Sequence, residues 1–143
     1  MKNIANYLTV IVICVFVTAM YTIYFEKPWL VYSNTPFEVL VKNVLPGDVV
    51  PIRVARCSSS SIRRMYRFSH ALVSNDRPTD LPKPLPESIG FIDPGCTDAP
   101  STVNTIPPDT PPGKYHLIGL SEINMAVGTV LVEWYSQPFE VIK

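Results

Sequence analysis

The chain has 143 residues, room for one domain and an appendage, with Lys+Arg and Asp+Glu balanced at 12 each. That balance excludes a globally charged surface of the kind that binds nucleic acid. Only 17% of the residues are charged and 15 are proline, which points to strands and turns because proline breaks helix interiors.

The first segment is the most informative. Ile4 to Phe25, 22 residues, carries no charged side chain. As a helix it would be roughly 33 Å long, enough to cross a hydrocarbon core of about 30 Å. Val10 to Val17 is wholly apolar, and Tyr7 lies near one end with Tyr21, Tyr24 and Trp29 near the other, where amphipathic rings favour the interface. Residues 1–27 are therefore read as a signal anchor that contacts the bilayer through residues 4–25, and residues 28–143 as one domain beyond it. A buried core helix would need a polar face that this segment lacks. A cleaved signal is the other alternative. Val17 and Ala19 fit a cleavage site, but cutting after Ala19 would leave an apolar Met20-Tyr21-Thr22-Ile23-Tyr24-Phe25 start. Cys14 follows Ile13 rather than a small residue, so it reads as an apolar thiol and not as a lipid-attachment site. Lys2 on one side, against a cancelling Glu26 and Lys27 on the other, favours a cytoplasmic N-terminus and an external domain, periplasmic or extracellular.

The rest alternates like short strands: Phe37–Val41, Val49–Cys57, Arg64–Val73, Ser88–Ile92, Thr102–Ile106, Tyr115–Leu120, Thr129–Tyr135 and Phe139–Ile142. Leu45-Pro46-Gly47-Asp48 is a turn with Pro and Gly suitably placed. A short helix near Glu122–Ala126 stays open. Ten prolines fall between 78 and 112. They read as an ordered long connection, with a polyproline ligand as the alternative. The segment from Tyr32 to Leu40 echoes the one from Tyr135 to Ile142, both with Phe-Glu-Val after a proline. Each echo reads as an edge-like strand with its Phe and the Val two residues on packed inward.

Residues 107–115 form a Pro/Gly-rich corner that enters a strand at Tyr115. This resembles the tyrosine corner of immunoglobulin-like and fibronectin type III-like sandwiches, in which the phenol bonds a backbone group a few residues upstream. The resemblance implies an all-β, immunoglobulin-like antiparallel β-sandwich behind one transmembrane helix, and no binding residues. The chain departs from antibody domains. Tyr66 and Phe68 stand where a core tryptophan would, and Cys96 is read in a turn.

Cys57 and Cys96 are the cysteines outside the anchor. An oxidising compartment favours a disulfide between them over two buried or reactive thiols. No Asn-x-Ser/Thr site is present, which leans toward a bacterial or viral envelope.

Catalytic signals are absent from the pattern. His70 and His116 both fall on strands, and Ser69 points away from its neighbour His70. No nucleophile elbow, phosphate loop or metal-ligand spacing occurs, so no enzyme, cofactor or metal is expected. Arg53, Arg56, Arg63, Arg64 and Arg67 place five positive charges and no negative one within 15 residues. They form a candidate anion-binding surface for headgroups, glycans or an acidic partner, or else a solvated strand face. The reading that results is a membrane-anchored, non-catalytic ectodomain that binds or scaffolds a protein or envelope polymer. A virus- or phage-encoded envelope component for lysis, assembly or exclusion is the runner-up, and an exported enzyme with an unrecognised site is third.

Overall fold

The structure, a computed structural model, describes residues 2–25, 29–124 and 128–143. One helix, α1 (Lys2–Tyr24), precedes eleven strands: β1 (Leu30–Tyr32), β2 (Glu38–Val39), β3 (Asn43–Val44), β4 (Val49–Ser58), β5 (Arg64–Ser74), β6 (Lys83–Pro84), β7 (Ser88–Ile92), β8 (Gly95–Thr105), β9 (Gly113–Asn124), β10 (Thr129–Tyr135) and β11 (Phe139–Val141). The helix is long and apolar enough to cross a membrane from Asn6 to Tyr24, and none of that stretch is buried against the strands. Within it the Thr18 hydroxyl donates to the Cys14 carbonyl one turn back, at 2.8 Å.

The strands form two stacked sheets. In the smaller, β4 is central, with β8 on one edge and β1 and β2 sharing the other. In the larger, β5 and β9 are central, β6 and β7 lie outside β5, and β10 and β11 lie outside β9. Every pairing is antiparallel except β3 with β11 and the Phe37–Ser136 bridge, which are parallel. The two echo segments meet at these contacts. Phe37 N–H donates to the Tyr135 carbonyl and Gln137 N–H to the Phe37 carbonyl, both at 2.8 Å. The segment from Phe37 to Val44 thus crosses from the smaller sheet to the larger and closes one side. Its inward residues are as expected: Phe37, Val39, Phe139 and Val141 are all buried.

The core lies between the sheets. Trp134 stacks on Phe68 at 4.7 Å and on Phe37 at 5.0 Å between ring centroids. Gly119 makes room for it, since a Cβ there would sit 2.2 Å from Trp134 Cζ2. Val50 and Ile52 of β4 face Leu72, Leu117 and Tyr115 across the same core.

Two expectations change. Residues 95–101 are strand, not turn. Cys96 pairs directly opposite Cys57 along the β4–β8 ladder, and the disulfide joins neighbours within one sheet. Glu122–Asn124 continue β9 rather than starting a helix, while residues 125–126 lie outside the described residues. The proline-rich connection carries β6, β7 and the whole of β8. The turn at Leu45–Asp48 forms with Gly47 at φ 95°, and Asp48 N–H donates to the Leu45 carbonyl at 3.0 Å.

Candidate functional site

The end of α1 presents the first chemical problem. Its last carbonyls have no intrahelical donor. Phe25 N–H donates to the Tyr21 carbonyl at 2.8 Å. The next two carbonyls are taken by Arg64, whose Nη2 donates to Thr22 O at 2.8 Å and Nη1 to Ile23 O at 3.3 Å. Its Nε donates to Ser60 Oγ at 3.3 Å, and that hydroxyl donates to Ile62 O at 2.6 Å. Arg64 is first in β5 and shares the inward face with Tyr66, Phe68 and His70, so it is only 8% exposed. A cation at a helix C-terminus also complements the helix dipole. Beside it, Ser59 N–H donates to Trp29 O at 3.1 Å and Trp29 N–H to Ser59 Oγ at 2.9 Å. The chain is therefore tied to the base of the sandwich on both sides of residues 26–28.

Arg64 is thus not part of an exposed basic surface, and the other four arginines are spread over two sheets. Arg53 grips Asp98 with two bonds of 2.8 and 3.0 Å, which holds that carboxyl below its ordinary pKa. Arg56 lies over the Tyr66 ring at 5.5 Å and donates to Phe91 O at 3.3 Å. Arg63 covers the Phe91 ring at 4.4 Å and meets Asp93 at 3.2 Å. Arg67 meets Glu87 at 3.8 Å. These pairs are exposed and screened, so they position the side chains more than they stabilise the fold.

At the opposite end, Tyr115 Oη donates to Pro111 O at 2.8 Å, and Arg77 Nη2 donates to Tyr115 Oη at 2.7 Å. The Arg77 contact had no signal in the sequence pattern.

The outer face of the larger sheet is the third feature. Ala71, Ile118 and Tyr135 form one cross-strand row, and Ser69, Leu120 and Glu133 the next. A shallow groove of about 860 Å³ runs over them, with His116 at one side. Leu131 and Tyr135 are exposed beside it. His116 Nδ1 contacts Asn75 Oδ1, and partial burial lowers the His116 pKa. His70 points the other way, into the core against Phe68 and Trp134. Burial pushes its pKa down, opposed more weakly by the Phe68 backbone. Among the described residues no group of three His, Cys, Asp or Glu side chains could hold a metal ion.

No family model matches the chain, and no curated protein matches it. Solved structures are similar at low identity. One is the alkylpurine DNA glycosylase AlkC of Pseudomonas fluorescens, bound to DNA containing an abasic site analog, at 11% identity and TM-score 0.45, covering 81% of this chain and 30% of that one. Another is a β-glucosidase from Erythrobacter marinus, at 7% identity and TM-score 0.46, covering 80% of this chain and 16% of that one. The chain therefore spans less than a third of either protein. A third is the CARDB domain of the PF1109 protein from Pyrococcus furiosus in complex with di-metal ions, at 14% identity and TM-score 0.42, covering 83% of this chain and 92% of that one.

Proposed function

We propose that this chain is a single-pass membrane protein with a cytoplasmic N-terminus, whose immunoglobulin-like sandwich stands in the periplasm or outside the cell and binds a partner without catalysis. The observation that carries this reading is Arg64. A helix of bilayer length ends in carbonyls that the folded domain itself satisfies. That arrangement suits a domain held at a fixed height above a membrane better than a leader that is cut away. The immunoglobulin-like description is supported by the Tyr115 bond to Pro111 and by the division into a β4–β8 sheet and a β5–β9–β10 sheet.

Partner binding is assigned to the outer face of the larger sheet. Ile118, Leu120, Leu131 and Tyr135 give it an apolar centre, and Ser69, Glu133 and His116 a polar edge. Apolar surface of this kind on a rigid sheet is a common feature of protein-binding sites. The absence of catalysis is supported by the separation of Ser69 from His70 and by the enclosure of His70 among core aromatics.

Alkaline carbonate extraction and protease shaving test the reading together. The full chain should stay with the membrane pellet, and protease added outside intact cells or spheroplasts should degrade residues 28–143. Recovery of a soluble product starting at Met20, or protection of the domain from external protease, would refute it.

A further inference from the structure

The base of the sandwich carries a second surface, which takes in the lower end of the larger sheet's outer face, below the groove. It is built from the residues around the Arg64 junction. Trp29 is 55% exposed, Phe91 52% and Met65 52%. Met65 and Phe91 are directly opposed across β5 and β7. The Arg63 guanidinium carbon sits 4.4 Å from the Phe91 ring centroid, with its side chain 62% exposed. Arg56 adds its guanidinium from the other sheet by donating to the Phe91 carbonyl. Of the two arginines on this surface, Arg63 pairs with Asp93 at 3.2 Å, while Arg56 meets the Tyr66 ring and the Phe91 carbonyl. Basic side chains interleaved with exposed aromatic rings match the chemistry of a headgroup layer, where rings take the boundary and cations meet phosphates.

The height of this surface is set by the helix. Thr22 and Ile23 lie within the last turn of the apolar span. The Arg64 guanidinium is hydrogen-bonded to both, so it sits at the edge of the hydrocarbon. Arg63, its neighbour in sequence, is thereby held beside that edge. We infer that the base of the sandwich, through Arg63 with Phe91 and Trp29, rests on the outer leaflet and selects anionic phospholipid headgroups. This rests on the reading of α1 as a membrane span and adds a lipid contact to it. The sandwich becomes a domain seated on the bilayer, with its outer sheet face held upright for a partner.

The test uses the full chain in vesicles of phosphatidylcholine mixed with phosphatidylglycerol. Flotation after a carbonate wash is scored first, and a chain that fails to float refutes the span itself. For a chain that floats, quenching of Trp29 is compared between brominated phosphatidylglycerol and brominated phosphatidylcholine. Trp134 is buried in the core and supplies the unquenched remainder. The inference predicts an enrichment of phosphatidylglycerol around Trp29 of about five-fold, the factor one basic side chain contributes near an anionic surface. Arg63→Glu should abolish the preference while leaving quenching by phosphatidylcholine and the Cys57–Cys96 disulfide in place, and Arg63→Lys should retain it. Equal quenching by the two lipids in the wild type would overturn the inference. So would a preference unchanged in Arg63→Glu, which would assign it to Lys27.

Discussion

The two ends of the sandwich solve one problem in two ways. At each end a side chain from the start of a central strand reaches a backbone carbonyl. At the distal end Tyr115 of β9 reaches Pro111, four residues away. At the base Arg64 of β5 reaches Ile23 and Thr22, 41 and 42 residues away. The local clamp fixes a turn and needs only a neutral hydroxyl. The long-range clamp fixes a helix to a domain, and a charged donor suits it because the carbonyls of a helix end carry partial negative charge. Local clamps can be read from a motif, whereas long-range clamps become visible only when the fold brings the partners together.

This difference can be broken or sharpened experimentally. The largest effect should come from Cys57→Ser with Cys96→Ser. The disulfide closes a loop of 39 residues beside the base, and its loss should lower unfolding free energy by about 4 kcal/mol in urea titrations. Hydrogen exchange should then rise first along β4 and β8, with β9 near Tyr115 the later to open. Gly119→Ala comes next. Gly119 lies midway along β9 between the clamps, and its new Cβ would press on Trp134, so a loss of about 3 kcal/mol should loosen both ends alike. Tyr115→Phe removes only the phenol that joins Pro111 and Arg77, and should cost about 1 kcal/mol, with the base unaffected.

Acid should give the smallest effect. His70 is buried and its folded-state pKa is depressed below the ordinary 6.5. The unfolded chain therefore binds the proton more readily, and stability should fall as pH drops below about 6.5. His70→Leu should flatten that slope in thermal melts. An unchanged slope would assign it to His116, whose pKa is shifted in the same direction.

Much of the fold was legible because burial imposes alternation. β4, β5, β7, β10 and β11 were located to within a residue or so from their inward apolar positions, and the Leu45–Asp48 turn from its Pro and Gly. The first half of β8 reads as turn because Gly-Cys-Thr-Asp-Ala-Pro-Ser has no apolar side to show. It is an edge strand paired only with β4, and its outward groups meet solvent. β1, β3 and β6 are two or three residues long, too short for a period. The parallel contact of the two echo segments was hidden because each copy alone reads as an edge. The candidate site was less legible. Five arginines close in sequence suggest one surface, yet strand alternation and the change of sheet between β4 and β5 leave only Arg56 and Arg63 together, at Phe91. Arg64 is spent on backbone carbonyls, which carry no side-chain signature.

The measurement that bears most directly on the central claim is the distance between α1 and the sandwich. Cys14, the free cysteine on the helix, and a cysteine introduced at exposed Leu131 can carry two nitroxide labels in the full chain. A sandwich clamped by Arg64 predicts one narrow distance distribution in the wild type, broadened in Arg64→Leu while the Cys57–Cys96 disulfide stays formed. A broad distribution in the wild type, or an equally narrow one in Arg64→Leu, would contradict the account.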